Sequence, residues 1–500
     1  MRPHREVRPV RTAAAVLVSL AVLLPAHCGA QQPSVDEAAE ALQAAVSFYH
    51  GQVADHGGYV WRYAGDLSLR EGEARTDGSA VWVQPPGTPA VGMAFLDACE
   101  ARGEQAYLDA ALDAARCLLQ GQQLSGGWYY SVQFDPAERA KRMYRVDHPG
   151  AGCGPTTAPG GEEGWHVWRQ RKHEPNMTLL DDDVTASAIR FLARLDRRLE
   201  FRDAAIHEAV LYALDAALMV QHPIGAWSHN YDRFPVHRPD LALYPVIAAS
   251  YPDQWSRTWT KDFTGGYVVN DSITPRMIET MLAAWRVYDD QRFREAAESG
   301  GDFLILAQMP DPQPAWCQQY NNAMQPVWDR KFEPPAITGE ESQGVLECLL
   351  QLYRETGEER FLAPVPRSIA YLRSSLLPDG HLARFYELQT NRPIFFDREY
   401  NITYVPEQMP EHYSFLRESR LDAIEAEYQR LLAEGPCEAT VSPPPADEVA
   451  AIIAGMDKRG AWVEPGVLDA WDTEPETGII SSETFIANVR ALAAYIAAQQ

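Results

Sequence analysis

A unit of about forty residues recurs through the middle of the chain, and recurrence at that period restricts the fold more than any single motif does. It runs from Thr88 to Trp128, from Asp182 to Trp227, from Asp271 to Trp316, and again from Thr338 into the stretch after Gly380. Each copy holds an amphipathic helix, a short charged turn and a second helix entered by an aromatic residue (Tyr107, Phe201, Phe293, Phe361). A Gly/Pro turn then leads to a Trp or an Arg. Apolar residues spaced by three and four mark the helices, as in Leu108, Leu112, Ala115 and Leu119 of the first copy and Leu211, Leu214 and Leu218 of the second. Thr88, Asp182 or Asp183, Asp271 or Ser272, and Thr338 stand where N-caps are expected. Turns this short give antiparallel hairpins, and a row of hairpins covers its apolar faces best by closing on itself. The expected fold is all-α: a toroid or barrel of antiparallel helical hairpins, the α/α toroid type, with long loops.

The ends of the chain fit that closure. Val35 to Gln52 reads as a lone second helix and Ser482 to Gln499 as a lone first helix, so pairing them would complete the ring. Two insertions, Gly150 to Met177 and Arg233 to Gly265, are expected as loops over one end. No Ser/Gly linker or charge block divides residues 31–500, which are expected to form one domain. Residues 1–30 read as a secretory signal peptide: Arg2, Arg5, Arg8 and Arg11 precede an apolar run from Ala13 to Leu24, with small residues at Gly29 and Ala30. That run is too short for a membrane span, and no later segment is long enough. The protein is expected to be secreted or periplasmic and monomeric.

A formal net charge of −25 disfavours nucleic acid and anionic membranes as partners. Among the cysteines, Cys99, Cys117 and Cys348 lie on apolar helical faces and are expected as buried thiols; none of the seven falls in a Cys/His metal spacing. There is no GxSxG elbow, P-loop or HExxH.

In a ring of hairpins the first helices run the same way, so their N-termini gather at one mouth. Asp181, Asp182, Asp183, Asp271, Glu340 and Glu341 would converge there. Single acids at such positions serve as caps and complement the helix dipole. Three in succession exceed that need, and a hard cation such as Ca²⁺ would relieve their repulsion. Within His381 to Tyr400, Arg384, Arg392 and Arg398 stand among aromatic residues, and Arg330 precedes another mouth helix. Planar guanidinium forks match carboxylates, so their concentration in an acidic chain points to a polyanionic partner. Tyr59, Trp61, Trp128, Tyr129, Trp227 and Trp316 are expected to divide between core and sugar platform.

The segments NDSIT, AWCQQYN, RKFEPPAITGEES and ARFYELQTNRPIFFDRE resemble the polysaccharide lyase family 10 pectate lyases, over about Asn176 to Tyr404. The resemblance implies an exported enzyme that cleaves polygalacturonate by Ca²⁺-assisted β-elimination on a helical, toroid-like fold. By the same resemblance Asp181 and Asp271 lie at the substrate and calcium site, Asp181 as a catalytic residue, and Arg330 is the catalytic base; the residues themselves add Asp182 as a third metal ligand and Lys331 as the fallback base. Arg384 and Arg398 would bind substrate carboxylates with Arg392 between them, while Lys331 and Trp227 would also contact substrate. The acids at Asp182 and Asp183, and DREY in place of an acidic-Gly turn, depart from the family pattern. An Arg base requires a pKa depressed by neighbouring cations. Two other readings remain open to the residues: a non-catalytic exported binder of acidic glycans, and a helical-toroid glycoside hydrolase using paired carboxylates.

Overall fold

The computed structural model describes residues 32–151, 174–233, 241–242, 244–259, 266–406, 409–410, 413–438, 442–471, 473 and 478–500. The first thirty residues, expected to be a signal peptide, lie outside the described residues, as do Cys153, most of the first insertion and part of the second. The principal helices are α1 (Val35–Phe48), α2 (Thr88–Arg102), α3 (Gln105–Gly121), α4 (Val184–Arg198), α5 (Ala204–Met219), α6 (Ile273–Tyr288) and α7 (Gln291–Ala307). They continue with α8 (Gly339–Thr356), α9 (Val365–Ser374), α10 (Leu421–Glu434), α11 (Ala446–Ala454) and α12 (Ser482–Ala497).

The first helices of the copies pack side by side in the order α12, α2, α4, α6, α8, α10, and the second helices lie outside them. At the other end of the row, α11 packs on α12 and α1. This is an α/α toroid. The terminal helices pair as the sequence suggests, α1 against α12, and a ladder of Arg62–Ala64 with Ile479–Ser481 seals that hairpin. Similar short antiparallel ladders close the mouth end of the other copies: Ala80–Trp82 with Ser131–Gln133, Thr178–Leu179 with Asn230–Tyr231, Tyr267–Val268 with Gln319–Tyr320, and Ala336–Thr338 with Phe385–Glu387.

The recurring Trp has a structural task. Its indole N–H donates to a carbonyl in the last turns of the preceding outer helix: Trp128 to Leu118 (2.8 Å), Trp227 to Ala217 (3.0 Å) and Trp316 to Leu304 (2.7 Å). Trp462 repeats the bond to Ile452 at 2.8 Å, which identifies α10 and α11 as a further copy that the spacing of apolar residues does not reveal. All of these rings are buried. Trp227 is completely enclosed, so the expectation that it offers a face to substrate is corrected: a buried indole must satisfy its N–H internally, and here it does so inside the wall.

Two local expectations also change. No side-chain cap bond forms at Asp183, Ser272 or Thr338, and Thr88 lies inside its helix. Hydroxyls two to four positions further on stitch each unit to the one before it instead. Thr185 accepts the Trp128 amide (3.0 Å), Thr274 the Trp227 amide (3.4 Å) and Ser342 the Trp316 amide (3.1 Å). The buried stripe of α3 is Ala110, Ala111, Ala114, Ala115 and Leu118, while Leu108, Leu112 and Leu119 are only half-buried at its flank. Small side chains at the contact let helix axes approach closely.

Candidate active site

Because hydroxyls do the stitching, the acids before α4 and α6 are free for other work. Both segments adopt the same turn, with two successive residues in the left-handed region: Asp182 and Asp183 (φ 50° and 59°), then Asp271 and Ser272 (φ 48° and 59°). Such conformations are uncommon outside Gly, although Asp tolerates them better than most, and two paired instances at equivalent places mark a functional turn. The turns are pinned alike. The His229 carbonyl accepts the amides of Leu180 (2.8 Å) and Asp181 (3.2 Å), and the Gln318 carbonyl those of Val269 (2.8 Å) and Asn270 (2.9 Å).

The consequence is a cluster in which carboxylate oxygens of Asp181, Asp182 and Asp271 lie within 4.8 Å of one another. Asp183 points elsewhere, to Arg190 at 2.5 Å, and Glu340 pairs with Arg417 (2.8 Å) and Arg420 (2.9 Å). Burial, then the charge of Asp181, pushes the Asp182 carboxyl up to about 7, and the same two causes hold Asp271 well above the usual carboxylate range. These acids disfavour their own ionisation as they stand, the condition that a bound cation reverses. An all-oxygen set at this spacing fits a hard divalent ion such as Ca²⁺.

Facing the carboxylates is Arg330, whose Nη2 is 3.5 Å from Asp271 Oδ2 and whose Nε donates to Glu333 at 2.6 Å; Nη2 also binds Glu333. Glu333 is fully buried and is itself held by Asn270 (3.3 Å) and the Tyr413 hydroxyl (3.1 Å). Burial opposes the Arg330 charge, but hydrogen bonds and charge from Glu333, then Asp271, more than offset it, so its pKa is raised. This reverses the depression that a resting Arg base would need.

Arg384 is buried 3.3 Å from Glu341, and its guanidinium lies 4.3 Å from the Tyr413 ring centroid, over which Arg330 also sits at 5.7 Å. Tyr413 thus joins the two arginines. Among the described residues, Arg384 Nε, Glu341 Oε2 and Gln318 Oε1 are buried without a hydrogen-bond partner, which suits a polar ligand beside them.

Residues 278–359 match the family model described as pectic acid lyase. Over that stretch the chain is similar to the pectic acid lyases. No curated protein matches it. Among solved structures it is similar to a family 10 polysaccharide lyase from Cellvibrio cellulosa (20% identity, 63% of this chain and 90% of that one, TM-score 0.42). A variant of that enzyme in complex with trigalacturonic acid gives 19% identity, 69% and 98% coverage and a TM-score of 0.42. A cellobiose 2-epimerase from Spirochaeta thermophila gives 15%, 92% and 97%, and 0.45.

Around the same mouth, Arg392 and Arg398 sit in the two successive exposed turns that follow Phe385–Glu387. Arg392 lies 3.6 Å from the Tyr404 ring centroid, and Lys331 Nζ lies 3.4 Å from that of Tyr400. Sequence reasoning misses His229, Gln318 and Tyr413. His229 Nε2 is 3.1 Å from Asp329 Oδ2 and its Nδ1 is 3.9 Å from Asp181 Oδ2. Burial lowers the pKa of His229, but the hydrogen bond and charge of Asp329 outweigh this and the net shift is upward. Gln318 Nε2 donates to Asn270 (2.8 Å) and Glu341 (2.9 Å). A signal was available: His229 and Gln318 stand two positions after the recurring Trp, as Tyr130 does, and Arg384 occupies the same place in its copy, its carbonyl accepting the Gly339 amide at 3.0 Å.

Proposed function

We propose that this protein cleaves polygalacturonate by β-elimination with Ca²⁺ and does so outside the cytoplasm. The observation that carries the reading is the clustering of the Asp181, Asp182 and Asp271 carboxylates next to Arg330, which shares the Tyr413 ring with Arg384. The pectic acid lyase match supports the substrate class, and the leader-like first thirty residues support export.

Asp181, Asp182 and Asp271 would hold the ion, which when bound withdraws charge from the uronate carboxylate and so acidifies the adjacent C5–H. Arg384, anchored by Glu341, and the rim arginines Arg392 and Arg398 orient uronate carboxylates through their forked donors. Arg330 is positioned by Glu333 and takes the C5 proton as the C4 oxygen departs, leaving an unsaturated uronide. Its raised pKa makes the neutral form scarce at rest, so turnover should climb into the alkaline range. The same Glu333 brace favours a second reading, in which Arg330 stays cationic and neutralises the charge that develops on the carboxylate.

The test is absorbance of unsaturated uronide from polygalacturonate with added Ca²⁺, for the wild type and Arg330→Ala and Arg330→Lys. Loss in Arg330→Ala with an alkaline wild-type profile supports the base. A profile flat across neutrality, with activity retained in Arg330→Lys, supports the cationic role. Reducing ends without unsaturation would refute elimination.

A further inference from the structure

Beside the Arg330 loop is a hollow of about 440 Å³, lined by Trp259, Trp328, Tyr400 and Asn401 together with the cations Arg257 and Lys331 and one acid, Glu399. We propose that it is an additional subsite for a uronate residue of the chain that occupies the Arg330 site; the inference rests on the pectate reading above. Three features point to an anionic sugar. Aromatic walls suit the apolar face of a pyranose, and the volume falls within the range of small-ligand pockets. Lys331 is exposed and has no carboxylate within ion-pair distance among the described residues, in a chain of net charge −25 whose arginines are mostly paired with carboxylates. Arg257 is committed differently: it pairs with Glu387 and stacks 4.1 Å from the Trp255 centroid, which leaves Lys331 as the anion-binding cation.

The hollow is also linked to Arg330 through packed side chains. The Arg330 guanidinium lies 5.2 Å from the Phe332 centroid, and the Phe332 and Tyr400 centroids are 5.8 Å apart. Lys331 then stands over the far ring. Two rings therefore separate the two cations, the Phe332 ring buried and the Tyr400 ring half-buried above it. Trp259 fastens the wall to the site by donating its indole N–H to the Asp329 carbonyl at 2.7 Å.

Calorimetric titration in chelator, where turnover is suppressed, compares tri- and hexagalacturonate with a neutral galactan hexamer. Wild type, Lys331→Met, Lys331→Arg and Tyr400→Ala are compared, each checked for native circular dichroism. The expected result is tighter hexamer than trimer binding by wild type. Lys331→Met lowers that ratio about fivefold, the scale of one exposed ionic contact. Lys331→Arg keeps the ratio, Tyr400→Ala lowers it, and the neutral hexamer shows no gain. A ratio unchanged in Lys331→Met and Tyr400→Ala, or an equal gain for the neutral hexamer, would overturn the subsite. Formation of unsaturated product by wild type with Ca²⁺ is scored separately. Product with an unchanged ratio removes the subsite alone, whereas its absence removes the pectate reading.

Discussion

Asp182→Asn tests whether the acidic cluster is built for a cation. Between the ordinary Asp value of 3.8 and about 7, the folded protein keeps a proton on Asp182 that the unfolded chain releases. Stability contributed by this group is therefore highest at low pH and falls as pH rises through that window. A carboxyl moved that far represents at most about 4 kcal/mol against its ionised form, and partial contact with water reduces this to about 2 kcal/mol. In chelator at pH 8, Asp182→Asn should be more stable than wild type by about 2 kcal/mol, which for a chain of this size is about 2 °C in Tm. Below pH 4 the two should coincide, because a neutral Asp and an Asn differ little. Calorimetric scans from pH 4 to 8 read the difference directly. Added Ca²⁺ should reverse the order at pH 8, raising wild type more than the variant. A wild type more stable than Asp182→Asn at pH 8 in chelator, or an equal gap at pH 4 and 8, would refute the reasoning.

Arg384→Ala leaves Glu341 buried without its counter-charge and should cost about 3 kcal/mol of stability by denaturant titration, along with nearly all lyase activity; an active, stable variant contradicts the placement. His229→Gln should lose stability chiefly in acid. A raised histidine pKa contributes below its unfolded value of 6.5 and fades as pH climbs through the folded value, so the wild-type advantage should be larger at pH 5.5 than at pH 9. Trp227→Phe removes an indole bond inside the wall and should cost about 1–3 kcal/mol with KM for polygalacturonate unchanged. A rise in KM at unchanged stability would restore Trp227 as a substrate contact.

The helical hairpins were legible because amphipathic spacing is local, and the pairing of the terminal helices followed from the half-units at each end. The α10–α11 copy was not legible, since its mark is one indole bond from Trp462 to Ile452 that a sequence cannot show. The acids were legible as a group but not in their roles. Asp183 and Glu340 turn to arginines contributed by other positions, Arg190, Arg417 and Arg420, while Asp182 joins Asp271 because their turns share a left-handed backbone. The apolar stripe of α3 was displaced to its Ala-rich side, because helix approach favours small side chains over the most hydrophobic ones.

The order of residues by itself determined a ring of helix pairs, a mouth rich in carboxylates and a concentration of guanidinium groups, since each depends on period and composition along the chain. Only the tertiary structure decided which charges meet. Ion pairs and shifted pKa values depend on distance and burial, and these join Arg330 to Glu333, Arg384 to Glu341 and three aspartates from two separate turns.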